Sequence, residues 1–131
     1  MAPIKSPKGF LKIGGIVLVL VAVLGFFGIT GSTPSQSIFG TAWNFTSAEN
    51  WTHLVLGVVA LIAAHVLKQE SQARALVNVL AVVALFFGIV GFFSTLGGTL
   101  ENPLDSILHL VIAIWAFWAA KGSSNSQPTV V

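Results

Sequence analysis

Four acidic residues and three histidines are the side chains of this sequence best suited to trade a proton or ligate a metal. Two of each fall into one pattern that is written twice. Glu49, His53, Gly57, Ala60 and Ala64 are spaced by four, four, three and four residues, and Asp105, His109, Ala113, Ala116 and Ala120 repeat those steps. On an α-helix such steps place all five side chains on one stripe. Each stripe begins with an acid, carries a histidine one turn later, and then turns small.

A carboxylate and an imidazole one turn apart are within reach of each other. Two histidines facing one another have the chemistry of axial ligands to a haem or a chlorophyll-type pigment. Glu49, His53, Asp105 and His109 together have that of a divalent-metal site, and in series that of a proton relay. The plainest arrangement needs no ligand. Two acids at helix starts, where the macrodipole favours negative charge, and two neutral imidazoles close the end of a helical bundle by hydrogen bonding. That closure is the expectation. A haem or pigment on His53 and His109 is the alternative, and a metal on the four groups ranks behind it.

Helices must position these residues, and composition says in which solvent. Of the 131 residues 55% are hydrophobic and 8% charged. A soluble domain carries about 25% charged residues, so the expected surroundings are lipid. The chain has no cysteine, which excludes disulfides, thiol catalysis and iron–sulfur clusters. Its few basic residues form no patch able to neutralise several phosphates, so nucleic acid is not an expected partner.

Four apolar runs, at about residues 10–30, 51–67, 75–93 and 104–120, approach or reach the roughly 20 residues that cross a bilayer. The first follows a basic start, as a signal peptide would, but it is longer than the usual core of about 7–15 residues. It also has an internal twin. The expected domain is residues 1–121 as one four-helix transmembrane unit, with residues 122–131, rich in Ser, Asn and Pro, as a disordered tail.

With four spans, Lys5, Lys8, Lys12, Lys68, Arg74 and Lys121 share one side, and Glu49, Glu101 and Asp105 lie on the other. Basic residues stay in the cytoplasm. The expectation is a multi-pass protein of a plasma, inner or thylakoid-type membrane with both termini cytoplasmic. Asn44-Phe45-Thr46 and Asn50-Trp51-Thr52 fit the glycan acceptor pattern on the outer side, but Asn50 is placed too near the membrane to use it.

Phe26-Phe27-Gly28-Ile29 recurs as Phe86-Phe87-Gly88-Ile89, with Gly31 and Gly91 at matching offsets. Together with the two histidine stripes this reads as a duplicated helical hairpin. Such a parallel repeat folds most simply as an antiparallel bundle with a pseudo-two-fold axis along the membrane normal. In lipid, small residues mark helix contacts, so Gly57, Ala60, Ala64, Ala113, Ala116, Ala120, Gly88 and Gly91 are the expected packing positions. Asn78 is expected to bond a neighbouring helix, and His65 to be a satisfied interfacial histidine. Trp51 and Trp118 are placed as interface anchors. Asn102, Pro103 and Asp105 read as N-cap, first and third positions of the fourth helix; Ser47 or Asn50 caps the second.

Asn50-x-x-His53-Leu54 with Gly57, and Asn102-x-x-Asp105-x-x-x-His109-Leu110, resemble the motifs of an uncharacterised family of small bacterial four-helix integral membrane proteins. The resemblance covers about residues 10–120. It implies a four-span protein of no established activity and supplies no catalytic residues. The sequence contains no nucleophile–base pair, phosphate loop or protease motif. The expected function is therefore non-enzymatic: an accessory or structural subunit among other membrane subunits, in contact with the lipid bilayer. A haem- or pigment-binding subunit is the alternative, and a small proton-coupled transporter the second.

Overall fold

The computed structural model describes residues 3–93 and 103–122. The sequence-based expectations for Glu101, for Asn102 as a cap and for the tail from residue 123 fall outside them. Among the described residues the chain is helical, with a short 3-10 turn at Pro3–Lys5 and four α-helices. These are α1 (Pro7–Phe26), α2 (Ser47–Val66), α3 (Glu70–Phe93) and α4 (Pro103–Lys121). All four are long and apolar enough to cross a membrane.

The helix ends follow from local chemistry that hydropathy does not register. The Ser6 hydroxyl accepts from the Gly9 amide at 3.1 Å and Pro7 takes the first position, so α1 starts three residues before its expected bound. It stops four residues early at Phe26. There Gly28 adopts φ +73° and Ile29 N–H bonds the Leu24 carbonyl at 2.9 Å, the bond that closes a Schellman turn. Thr46, rather than Ser47 or Asn50, caps α2. Its hydroxyl accepts from the Glu49 amide while the Glu49 carboxylate accepts the Thr46 amide at 2.7 Å, the two halves of a capping box. The third helix begins five residues earlier than expected, at Glu70.

The helices pair as α1 with α2 and α3 with α4, and α1 also touches α3 and α4. Within the first pair Gly15 lies against Gly57 and Gly25 against Asn50, so the helices run antiparallel. A Cβ on Gly57 would stand 2.9 Å from the Gly15 carbonyl oxygen. That closeness allows dispersion contact between backbones, which carries helix association in lipid.

One end of the bundle gathers Lys5, Lys8, Lys12, Lys68, Arg74 and Lys121, and is called here the basic end. The other carries Glu49 and Asp105 near the starts of α2 and α4, and is the acid end. The main apolar cluster lies entirely in the basic-end half. It joins Phe10 and Leu11 of α1, Ala60 and Ala63 of α2, Ala73, Val77 and Ala81 of α3, and Ala116, Ala119 and Ala120 of α4. At this end the 3-10 turn lies over α4. Trp115 Nε1 donates to the Ile4 carbonyl at 2.8 Å, the Phe10 and Trp115 rings meet edge-on at 4.5 Å, and Lys5 Nζ sits 5.2 Å from the Trp118 ring centre.

Of the expected packing positions, Gly57, Ala60, Gly88, Ala113, Ala116 and Ala120 are buried. Ala64 and Gly91 are only half-buried, and on α2 Ala63 takes the deeper place, inside the cluster against which Ala64 packs. Asn78 does not face a neighbouring helix of this chain: it is exposed on α3, a step of 100° away from buried Val77. The outward faces carry large apolar side chains on every helix, among them Leu20, Val59, Val82 and Ile114.

Candidate functional site

The acid end positions the two stripes alike. Glu49 is the third residue of α2 and Asp105 the third of α4; His53 and His109 are each the seventh. The two imidazoles lie within electrostatic reach of one another, and the Glu49 carboxylate within reach of Asp105 and His109. Each histidine also rests beside a phenylalanine. His53 meets Phe45 at 5.3 Å, nearly perpendicular, and His109 meets Phe87 of α3 at 6.3 Å.

The two acid–histidine pairs differ in their bonding. His109 Nδ1 stands 2.9 Å from the Asp105 backbone carbonyl and 3.6 Å from the Asp105 carboxylate. A carbonyl only accepts, so Nδ1 carries a proton and donates it. Glu49 instead turns back to the start of its own helix, accepting from the Thr46 amide and, at 2.8 Å, from the Thr46 hydroxyl. His53 Nδ1 is left buried with no hydrogen-bond partner. The expected acid–histidine contact is therefore made in the second stripe, while in the first a capping threonine competes for the acid. Among the described residues no three His, Cys, Asp or Glu side chains are grouped closely enough to hold a metal ion.

Two further polar residues are buried at this end: Asn50, read from the sequence as a cap candidate for α2, and Ser106, which sequence reasoning missed. Asn50 and Ser106 each directly follow the acid of their stripe and are 5% and 0% exposed. Asn50 Oδ1 and Ser106 Oγ have no hydrogen-bond partner, nor do Thr30 Oγ1 and Trp43 Nε1 in the α1–α2 connection. With His53 Nδ1, these make five of the six partnerless buried side-chain atoms among the described residues; the sixth, Arg74 Nε, is at the basic end. The signal was the shared offset of Asn50 and Ser106 from the two histidines, in positions otherwise suited to a small apolar residue. Burial at Asn50 also removes it as a glycan acceptor.

The connection that covers this end is held by its own polar groups. Ile38 N–H bonds the Ile29 carbonyl at 3.0 Å and Phe45 N–H the Gly31 carbonyl at 3.2 Å. Ser37 donates to the Trp43 carbonyl and accepts from the Phe39 amide. Phe45, which sits against His53, is buried. His65 is remote from this site on the exposed side of α2, and its Nδ1 bonds the Leu61 carbonyl at 2.8 Å.

Among the described residues the architecture is thus all-α, with four membrane-length helices closely packed and apolar at the basic end and polar at the other. Comparison with family models, with curated proteins and with solved structures finds no match.

Proposed function

We propose that this chain is a multi-pass integral membrane protein with both termini in the cytoplasm, and that it serves as a non-enzymatic accessory subunit of a larger membrane complex. The observation that carries this reading is the set of partnerless buried polar atoms at the acid end, Asn50 Oδ1, His53 Nδ1 and Ser106 Oγ foremost. A buried polar group without a partner is costly, more so in low dielectric. These atoms are enclosed by this chain, so a second subunit at this end would complete the set by drawing the side chains outward to its own donors and acceptors. The gathering of every basic residue at the opposite end supports the cytoplasmic assignment.

The same proposal takes the two hairpins as copies of one ancestor, related by a pseudo-two-fold axis along the membrane normal. The pairing of α1 with α2 and of α3 with α4, and the matching places of His53 and His109 as the seventh residue of their helices, support it. The resemblance to an uncharacterised bacterial four-helix family belongs to this reading and adds no activity. The test is a photo-crosslinking residue at exposed Ile38, beside the acid end. A single stoichiometric membrane subunit should be captured in native membranes, and its yield should fall several-fold in Asn50→Leu with Ser106→Ala. A chain that yields no adduct and runs alone from the same membranes would leave an independent bundle.

A second reading, a haem- or pigment-binding subunit, is favoured by one observation: the two imidazoles lie within electrostatic reach of one another at the acid end. The close packing of Ala113 and Ala116, 1% and 0% exposed just below, opposes a flat macrocycle there. A visible spectrum of the purified protein separates the two. An absorption band that disappears in His53→Ala and His109→Ala establishes the pigment; a colourless, folded preparation removes it.

A further inference from the structure

Six side chains of α3, Ser71, Ala75, Asn78, Val82, Leu85 and Ile89, follow one another by alternating steps of four and three residues, and all six are exposed. Steps averaging 3.5 residues keep a seam in register along a second helix that crosses at a shallow left-handed angle. The buried stripe of α3, Ala73, Val77, Ala81, Ala84 and Gly88, is a different face, already occupied by this chain.

Asn78 makes this seam unlike the other outward faces. The outward polar side chains of α2 are satisfied within their own helix: the Thr52 hydroxyl donates to the Ala48 carbonyl at 2.8 Å, and His65 bonds the Leu61 carbonyl. The Asn78 carboxamide is exposed and has no hydrogen-bond partner among the described residues. It stands three residues beyond Ala75, inside the apolar part of the helix. Hydrocarbon offers an amide nothing to bond.

We propose that the outer seam of α3 is a homodimer interface in which Asn78 of each copy pairs with Asn78 of the other. A carboxamide both donates and accepts, so it is its own complement. Copies inserted in the same sense hold Asn78 at the same depth. A two-fold axis along the membrane normal then brings two α3 helices together in parallel with the amides opposed. Ala75 and Ser71, one and two turns below, are small enough to let the backbones close in. One polar residue in an apolar seam fixes register and partner number, as it does in parallel coiled coils. The inference stands on α3 alone and does not need the accessory-subunit reading.

The chain has no cysteine, so single cysteines report cleanly. The full-length protein is reconstituted in phosphatidylcholine vesicles at high lipid-to-protein ratio with Val82→Cys on the seam, or with Val55→Cys on the outward face of α2 as control. Mild oxidation should link Val82→Cys into dimers at least fivefold faster than the control. Adding Asn78→Leu should remove most of that advantage, whereas Asn78→Gln, which keeps the amide, should retain it. Helix content measured by circular dichroism confirms folding; Asn78 is on the outward face, so both variants are expected to pass. Equal linking of the two cysteine variants would overturn the proposal, and so would linking indifferent to Asn78→Leu. In native membranes, a Val82→Cys adduct with a different protein in place of the dimer would also overturn it.

Discussion

The Asn50 carboxamide of α2 occupies the space that a Cβ on Gly25 of α1 would need. This contact ties the acid end of the first hairpin together, and it places a buried polar group against bare backbone rather than against a partner. Gly25→Ala should push the amide out and destabilise the protein by about 1–3 kcal/mol, the usual cost of overpacking. Asn50→Ala alone opens space, and the double variant should recover most of the loss. Denaturation of all four proteins in one detergent gives the coupling energy. Additive losses would mean that the two residues do not touch.

The crossing of α1 and α2 depends on Gly57 in the same way. A Cβ there would meet the Gly15 carbonyl oxygen and the Val19 amide nitrogen, both at 2.9 Å, and neither is a side chain that can swing aside. Gly57→Ala should cost about 1–3 kcal/mol. Gly14 has nothing within 4 Å of its missing Cβ. Gly14→Ala should be neutral, or stabilising by up to about 1 kcal/mol through helix propensity. Thermal unfolding of the two variants side by side checks the contrast.

Gly28 and Gly88 belong to the same recurring tetrad and should respond in opposite ways to asparagine. Gly28 has φ +73° and open space around it, so Gly28→Asn, which tolerates that backbone region, should stay within about 1 kcal/mol of the parent. Gly88 is helical and its missing Cβ would lie 2.7 Å from Leu110, so Gly88→Asn should separate α3 from α4. Protease sensitivity of the second hairpin reads the difference. Equal damage from both substitutions would contradict this division.

Orientation is tested with the same cysteine-free background. Ser35→Cys, in the α1–α2 connection, should react with a membrane-impermeant maleimide in intact cells. Gln69→Cys, in the α2–α3 link, should react only after permeabilisation. The reverse pattern would place the termini outside.

The existence, number and apolar character of the helices were legible in the sequence because each reads as a long apolar run broken by turn residues. Their ends were not. Ser6, Thr46 and the backbone turn at Gly28 set them through hydrogen bonds that a hydropathy window averages away. The recurring Phe-Phe-Gly-Ile tetrad shows that matching letters do not fix matching backbone: one glycine supplies a left-handed φ, the other room for a neighbouring leucine. At the site, the acid–histidine spacing predicted the His109–Asp105 contact. It missed that Thr46 would take Glu49, because a cap and a histidine compete for one carboxylate and spacing alone does not rank them. Asn78 was read as an internal contact because it is polar in an apolar run; its 100° offset from the buried stripe decides otherwise.

The 3-10 turn against α4 has a consequence for how the chain is strung. Ile4 and Lys5 engage Trp115 and Trp118, and the Lys5 carbonyl lies where a side chain on Gly122 would begin. The first hairpin is therefore latched to the far end of the second without help from the covalent link between them. Severing the peptide near Lys68 should leave two fragments that stay together in the bilayer, and a linker joining the two chain ends should yield a circular permutant that still folds.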